Sequence, residues 1–319
     1  MPSLPAWLRT PPPMLGLHVD QHRVTAVHVE RDGGMPVIRA VGTSPLPAGA
    51  VVPSLTAANV IQRDVLVAAI RQAVDQTGVR TRRVALAIPD TAGKVSLLPF
   101  ETLPANARDL DQLVRLQLRK TMPFAVEEAQ VAWTRGGTLG ATTTLVVTAM
   151  RRDLVEEYEG ACAAAGLHAG TVDLATFNVV NLALLGGASD AVGQGDVLLV
   201  HVTPGYASIA VLREGALIFF RTRPADAAEP VADVVHQTRM FYEDRLAGQG
   251  FARVLLVAGQ DLDDRDALAR NLGQLFEAAV TPLSLQGLAT FGDRLSPSEG
   301  LVGQIAAPAG LVLREGALT

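Results

Sequence analysis

Cysteine is scarce and charge is sparse in this sequence, and each shortage excludes a class of protein. Cys162 is the only cysteine among 319 residues, which excludes a disulfide framework and a thiolate metal cluster and fits a reducing cytoplasm. The formal net charge is −5, from 27 basic and 32 acidic residues. Because no basic run carries interleaved aromatic residues, the sequence predicts no contact with nucleic acid.

Long apolar runs are also missing. None approaches the roughly 18 to 20 residues that span a bilayer, and residues 1–13 lack the charged start and apolar centre of a signal peptide. We therefore expect a cytoplasmic protein that reaches a membrane only through partners. The alternative is direct docking on a membrane surface by Trp7 and Leu8, although a flexible, proline-rich N-terminal segment is the simpler interpretation.

What the sequence does contain is a long-range repeat. Apolar residues make up 49% of the chain, enough for a sizeable core. Residues 15–38 and 198–221 both show a strand, a turn, a strand, a turn and a strand. Setting His18 on His201 gives an offset of 183 residues (201 minus 18). This period predicts two duplicated α/β halves facing each other across a cleft, with a turn from each half pointing into it.

The segment between the two copies predicts an insertion with its own small core. Residues 93–150 show a strand, a helix and two strands, which is a βαββ pattern. The expected units are listed in chain order: a flexible N-terminal segment 1–13, a first half 14–92, the insertion 93–150, return helices with a linker 151–190, and a second half 191–319.

Glycine and proline mark several expected element ends. Gly78 and Gly166 lie just beyond helical patterns and predict helix ends. Residues 43–53 read as a loop, and the glycine pair 136–137 reads as the turn that joins the last two strands of the insertion. A short helix rich in alanine and leucine is predicted at residues 303–314.

Several stretches occur together in a recognisable order. They are residues 15–20 with 24–27 (LGLHVD and VTAV), 85–89 (ALAIP), 120–124 (KTMPF), 163–167 (AAAGL) leading to Val172 and Asp173, and 303–314 (GQIAAPAGLVLR). Their order and spacing resemble the type IV pilus assembly protein PilM family, which are actin-like ATPases. The resemblance covers nearly the whole chain from about Leu15.

This resemblance implies an α/β fold of duplicated actin-like (RNase H-like) halves around a cleft, with the βαββ insertion in the first half. It also implies a nucleotide held between two turns whose backbone amides approach phosphate. The cofactor-binding candidates that it implies are Asp20, Gln21 and Arg23 on the first loop, Thr203 and Gly205 on the second, and Ala258 and Gly259 on the adenosine side.

Departures from the family pattern affect these same loops. The family has an acidic residue at the position of His18 and glycine at that of Asp20, and it has aspartate and glycine where this chain has His201 and Thr203. Asp20 would repel a polyphosphate, and imidazole suits softer metals than Mg²⁺. We therefore predict a degenerate site with no catalytic residues, no metal and no cofactor. ATP with magnesium is the alternative.

The resemblance further implies a partner. This is a PilN-like bitopic inner-membrane protein, whose short cytoplasmic N-terminal peptide enters a groove beside the insertion by strand addition or through apolar pockets. The groove candidates are Leu116, Lys120, Pro123 and Phe124. The resemblance also leaves self-association into a homo-oligomer as an alternative. The lack of a membrane span favours PilM over the related secretion protein GspL.

Other interpretations stay open at this stage. The rival functions are an active ATPase or sugar-kinase-like phosphotransferase, and a filament former akin to FtsA. The residue-level alternatives are a metal held by His18 and His201, a carboxylate pair of Asp173 and Asp196, and a docking edge at Arg108, Arg115, Arg119 and Lys120. Each of these residue sets also has a simpler structural interpretation. The histidines can be polar strand residues, the aspartates a strand-end cap and a loop residue, and the basic residues a solvated helix face.

Overall fold

The described part of the chain contains three β-sheets and seven α-helices. The computed structural model describes residues 13–31, 34–188, 195–225, 231–260, 262 and 264–317. The strands are β1 (Leu15–Val19), β2 (Arg23–Glu30), β3 (Val37–Pro45), β4 (Arg83–Ile88), β5 (Lys94–Phe100), β6 (Ala129–Leu139), β7 (Thr142–Arg151), β8 (His168–Leu174), β9 (Asp196–Val202), β10 (Tyr206–Arg213), β11 (Ala216–Pro224), β12 (Phe251–Ala258), β13 (Val280–Pro282) and β14 (Thr290–Phe291). The helices are α1 (Arg63–Thr77), α2 (Ala107–Leu118), α3 (Arg152–Ala164), α4 (Ala175–Ala183), α5 (Val231–Arg245), α6 (Arg265–Phe276) and α7 (Glu299–Ala317).

The two larger sheets repeat one topology. The first has the order β14-β3-β2-β1-β4-β8 and the second β11-β10-β9-β12-β13. In each, the first strand of the meander pairs antiparallel with the next strand and parallel with a later one. His18 lies opposite Thr25, and His201 lies opposite Ser208. The offset predicted from the sequence is therefore the structural offset, and the duplicated α/β halves are confirmed.

Helices α4 and α7 pack between the two sheets. One apolar cluster draws Val27 and Ala85 from the first sheet, Leu199 and Ala210 from the second, and residues of both helices. This shared core joins the halves. The outer face of the first sheet is covered by α1 and α3, and that of the second by α5 and α6.

Small residues allow α7 to approach its neighbours closely. A Cβ atom at Gly16 would lie 2.3 Å from the carbonyl oxygen of Pro308, and one at Gly310 would lie 2.2 Å from that of Asn178. The helix is longer than the short one predicted, since it runs from Glu299 to Ala317. Residues 305–313 of the helix are all buried, so no polar face marks this part of its length in the sequence.

Residues predicted for the second half also reach the first sheet. Strand β14 pairs in parallel with β3, through Thr290 opposite Val37 and Phe291 opposite Ile38. The chain therefore crosses back before α7 begins.

The insertion forms a three-stranded sheet, β5-β7-β6, with α2 on one face. Leu110, Val114 and Leu118 of α2 pack on Leu145 and Val147 of the central strand. The insertion also contacts the second half. A Cβ atom at Gly137 would lie 2.7 Å from the Cβ of Ala216 in β11.

Two predicted boundaries are wrong. The glycine pair 136–137 is not the turn of the insertion: β6 continues through it with a register shift between Arg135 and Thr138, and the chain turns at Gly140, where φ is +59°. The expected loop 43–53 begins later, because β3 continues to Pro45 by pairing with Arg23 of β2.

The helix ends predicted at glycine are confirmed by Gly78 and Gly166, whose φ values are +67° and +88°. Residues 1–12 of the predicted N-terminal segment and residues 189–194 of the predicted linker lie outside the described residues.

Candidate functional site

The turns of the two meanders meet in the cleft between the halves. Asp20, Arg23, Thr203 and Gly259, four of the predicted cofactor-binding residues, line a common cavity there. Its volume is about 30 Å³, which is room for one or two water molecules. Pockets that hold small-molecule ligands measure about 300 to 1,000 Å³. In this conformation the space between the two turns is too small for the phosphates of a nucleotide.

The first turn satisfies its own backbone. The carboxylate of Asp20 accepts a hydrogen bond from the amide of Gln21 at 2.5 Å, and the amide of Asp20 donates to the carbonyl of Arg23 at 2.9 Å. Asp20 is 5% exposed. The Asp20 carboxylate therefore accepts the hydrogen bond of an amide that, in a phosphate-binding turn, would donate to the phosphate.

In the second turn a hydroxyl side chain accepts hydrogen bonds from the turn's own backbone amides. The Oγ1 atom of Thr203 accepts from the amides of Gly205 at 3.2 Å and Tyr206 at 3.1 Å. The two turns also touch, because a Cβ atom at Gly205 would lie 2.7 Å from the Oε1 atom of Gln21. Both positions at which the family pattern has glycine thus carry a side chain that binds the turn's own amides.

The loop expected on the adenosine side is covered by α7. A Cβ atom at Gly303 would lie 1.9 Å from the carbonyl oxygen of Ala258, and one at Gly259 would lie 3.8 Å from the Cα of Gln304. Ala258 is therefore buried against the helix, whereas Gly259 lies at the wall of the cavity, within van der Waals distance of α7.

His18 and His201 are buried and uncharged. The Nδ1 atom of His201 lies 2.7 Å from the Oγ1 atom of Thr176, whereas the Nε2 atom of His18 has no hydrogen-bond partner. Burial and, to a smaller extent, the nearby His18 together lower the pKa of His201 to about 3. Burial also lowers the pKa of His18 by more than the attraction of Asp20 raises it. Neutral imidazoles supply neither a cation for phosphate nor a carboxylate for Mg²⁺.

Metal ligands do not cluster in the described ranges: no group of three histidine, cysteine, aspartate or glutamate residues lies there in a position to hold an ion. The alternative in which Asp173 and Asp196 form a pair of carboxylates is wrong, because each binds a different arginine. Asp173 binds Arg314 at 2.6 Å, while Asp196 binds Arg213 and the hydroxyl of Tyr242, each at 2.7 Å. The two aspartates are apart because Asp196 begins β9 and Asp173 lies near the end of β8.

Asp90 was missed by the sequence analysis. It follows β4 and Pro89, is 1% exposed, and accepts hydrogen bonds from the amide of Thr176 at 3.0 Å and the hydroxyl of Ser208 at 2.5 Å. Burial raises the pKa of Asp90 to about 6. Because Ser208 lies in β10, this carboxyl joins the two halves. A polar residue directly after a buried strand was the signal available in the sequence.

A second cavity lies between the insertion and the first half. Its volume is about 320 Å³, and strands β6, β7 and β8 line it with α3. Both β6 and β8 are edge strands of their sheets. Residues Ala132 and Met150 face this cavity, whereas Val131 and Val147 face α2 on the other side of the same sheet.

The four groove residues predicted from the sequence lie elsewhere on the insertion. Leu116 is in α2, and Lys120, Pro123 and Phe124 are in the turn that follows it. None of them lines the cavity of about 320 Å³. Leu116 is 53% exposed, and Pro123 is exposed too.

The arginines of the suggested docking edge are partly engaged within the insertion. Arg115 pairs with Asp111 at 2.8 Å and donates to the carbonyl of Val126, and Arg119 pairs with Glu127. These contacts tie α2 to the segment before β6.

Two sheets of one topology, packed on a shared helical layer with their turns meeting in a cleft, define a protein of the actin-like ATPase fold. The solved structures that share this fold include the following three. A PilM-PilN type IV pilus biogenesis complex matches with a TM-score of 0.79 and 17% identity, over 94% of this chain and 98% of that one. A Bacteroides thetaiotaomicron protein with an actin-like ATPase fold and unknown function matches with a TM-score of 0.54 and 9% identity, over 92% and 95%. The cytoplasmic domain of EpsL, from the type II secretion system of Vibrio cholerae, matches with a TM-score of 0.50 and 10% identity, over 96% and 94%.

The sequence narrows this class to one family. The model of the type IV pilus assembly protein PilM family matches residues 16–244. The chain belongs to that family.

Proposed function

We propose that this chain is a cytoplasmic scaffold of a type IV pilus or type II secretion-like inner-membrane platform, and that it does not hydrolyse ATP. The observation that carries this proposal is the internal bonding of both cleft turns. The side chains of Asp20 and Thr203 accept the amide hydrogen bonds that a phosphate would otherwise receive.

The Asp20 carboxylate also opposes a polyphosphate by its charge, and Arg23 lines the same cavity as a cation. A polyphosphate entering the cleft would displace the Asp20 carboxylate from its amide and meet a like charge. The nearby imidazoles of His18 and His201 are neutral, because burial lowers the pKa of each. Hydrolysis also needs a carboxylate to hold Mg²⁺. Among the described residues that line the cavity between the turns, Asp20 is the only carboxylate, and it is already bonded to its own turn.

For the partner, we propose a PilN-like bitopic inner-membrane protein whose N-terminal peptide docks in the cavity between the insertion and the first half. Among the described strands, β6 and β8 are the outermost of their sheets, and an extended peptide can add to an edge strand as a further strand. Ala132, Met150 and Leu174 give the cavity apolar walls, while Arg152 and Glu156 of α3 line its polar side.

The peptide site is tested with a labelled N-terminal peptide of the PilN-like partner and fluorescence anisotropy. Replacing Ala132 with arginine fills the cavity, so we expect binding to weaken by at least about tenfold, since a buried charge at an interface costs more than 1.4 kcal/mol. Leu116→Arg, on the other face of the insertion, is the matched control and leaves affinity unchanged. The reverse pattern would contradict the cavity and place the peptide at the α2 face.

A double variant tests whether the side chains of Asp20 and Thr203 keep phosphate from binding to the two turns. In the double variant Asp20→Gly and Thr203→Gly, both turns lose the side chains that bind their amides. We expect this variant to gain affinity for inorganic pyrophosphate relative to the unmodified chain, measured by calorimetry. Equal affinity in the two proteins would show that these side chains do not close the site.

A further inference from the structure

The cavity between the insertion and the first half is bounded by three different kinds of wall. Its floor is one face of the insertion sheet, where Gln130 and Ala132 of β6 lie opposite Met150 and Thr148 of β7. Helix α3 forms a second wall with residues that share one helical face, which are Arg152, Val155, Glu156 and Glu159. The third wall is β8, at the margin of the first sheet.

Strand β8 lines the cavity with consecutive residues, namely Val172, Asp173 and Leu174. Successive side chains of a strand point to opposite faces of its sheet. Three residues in a row therefore reach one cavity only where the strand turns its edge toward it. Strand β6 instead lines the cavity at every second residue, 130 and 132, as a sheet face does. The main chain that borders the cavity is thus that of β8.

No described strand covers this edge of the first sheet. Strand β8 is the last in the order β14-β3-β2-β1-β4-β8, and among the described strands it pairs with β4 alone. An edge strand presents a row of N–H and C=O groups that no neighbouring strand pairs, and such a row is a template for a further strand. The edge of β8 therefore provides main-chain donors and acceptors beside the cavity.

The part of this edge that can pair is short. The register between β4 and β8 shifts so that Gly170 has no partner residue, and such a bulge interrupts the ladder. At the other end, the amide of Leu174 donates to the Asp173 carboxylate at 2.8 Å, and its carbonyl accepts from Asn178 at 2.9 Å. Residues 171–173 lie between these two points. They match a partner strand of about four residues, or roughly 13 Å.

Apolar side chains lie next to this edge. Ala132 is exposed and Val155 is half-buried, and both line the cavity. An extended segment along β8 would place every second side chain on the same face. Apolar side chains at those positions would cover the alanine and the valine, and each would bury area that is otherwise in contact with water.

We propose that the partner segment adds to β8 as a further strand of the first sheet, with apolar residues at every second position. This inference rests on the peptide site proposed above and states how that site recognises its partner. A helical segment would pair its own main-chain groups and leave the edge of β8 unused. In strand addition, the main chain supplies affinity and the alternate side chains supply specificity.

Single N-methyl groups on the peptide test the main-chain pairing. The probe is the labelled N-terminal peptide of the PilN-like partner, made in versions that each carry one N-methylated amide, and binding to the full chain is measured by fluorescence anisotropy. Methylation of an amide that pairs with β8 weakens binding by at least about tenfold, because it removes the donor and places a methyl group in the ladder. The intervening positions are the matched control, because there the same methyl group points away from β8.

Amide hydrogen exchange identifies the strand that pairs. We expect the unmodified peptide to slow exchange within residues 171–173 of β8 by at least about tenfold. Exchange within residues 130–134 of β6 stays the same, because that strand contributes its face rather than its edge.

Two outcomes would overturn strand addition to β8 while leaving the peptide site standing. One is binding that no single N-methyl group weakens, which would mean that side chains alone hold the peptide. The other is slower exchange in β6 with none in β8. Failure of the unmodified peptide to bind the full chain would instead contradict the proposed peptide site, and strand addition with it.

Discussion

Replacing Asp90 with asparagine tests the buried carboxyl that joins the two halves. Burial raises the pKa of Asp90 from 3.8 to about 6. A shift of about two units corresponds to roughly 3 kcal/mol between the protonated and ionised forms. The ionised carboxylate is therefore less favourable in the folded protein than in the unfolded chain, even with hydrogen bonds from Thr176 and Ser208.

The sign of the pH dependence follows from this shift. Between about pH 4 and pH 6 the folded state keeps a proton on Asp90 that the unfolded chain has lost. The contribution of this group to stability is thus present below about pH 4 and is lost as the pH rises to about 6. Asparagine stays neutral and can still accept from the Thr176 amide through Oδ1. We expect Asp90→Asn to raise the free energy of unfolding by about 1 to 3 kcal/mol at pH 7, and to have little effect at pH 4.

The assay is urea unfolding of both proteins at several pH values between 4 and 8. The difference between the two profiles isolates Asp90, because His18 and His201 are common to both. Asp293→Asn, at an exposed position, is the matched control and gives a small, constant difference. A difference between wild type and Asp90→Asn that does not change with pH would refute the raised pKa. Asp90→Ala leaves the buried amide of Thr176 unpaired, whereas the hydroxyl of Ser208 keeps its bond to Thr222. We expect it to lower stability by about 1 to 3 kcal/mol.

Two further predictions concern packing and acid sensitivity. Gly303→Ala lowers the free energy of unfolding by about 1 to 3 kcal/mol or more, since its Cβ would lie 1.9 Å from the carbonyl oxygen of Ala258. Gly273→Ala, also within a helix but with its nearest neighbour at 3.4 Å, raises it by about 0.5 to 1 kcal/mol; urea unfolding compares the two, and equal effects would contradict the close packing of α7. His201→Leu reduces the loss of stability between about pH 6.5 and pH 4, because the pKa of His201 is lowered to about 3 by burial and the unfolded chain takes up its proton first. An unchanged acid limb in the unfolding profile would show that His201 is not buried and neutral.

Much of the fold could be predicted from local pattern. Alternating apolar residues and turn residues fixed the two meanders, so the alignment of His18 with His201 anticipated the register found in both sheets. Glycine in the left-handed region marked the ends of α1 and α3. These features depend on residues that are close in sequence, which is why periodicity and turn chemistry reveal them.

Contacts between distant segments could not be predicted in this way. The bond from Ser208 to Asp90 joins residues 118 positions apart, and nothing near either residue predicts it. The closed cleft was anticipated only in part. Asp20 was expected to repel phosphate, whereas the structure shows that it also accepts the amide of its own turn. The cavity beside the insertion likewise depends on how two sheets meet, which no single motif specifies.

Calorimetric titration of the full chain with ATP and Mg²⁺ tests the central claim most directly. The account predicts no heat of binding up to about millimolar nucleotide, because both turns already satisfy their amides and the cavity between them measures about 30 Å³. Saturable binding at about micromolar concentration would contradict it, because it would mean that the cleft opens and that the turns release Asp20 and Thr203 to bind phosphate.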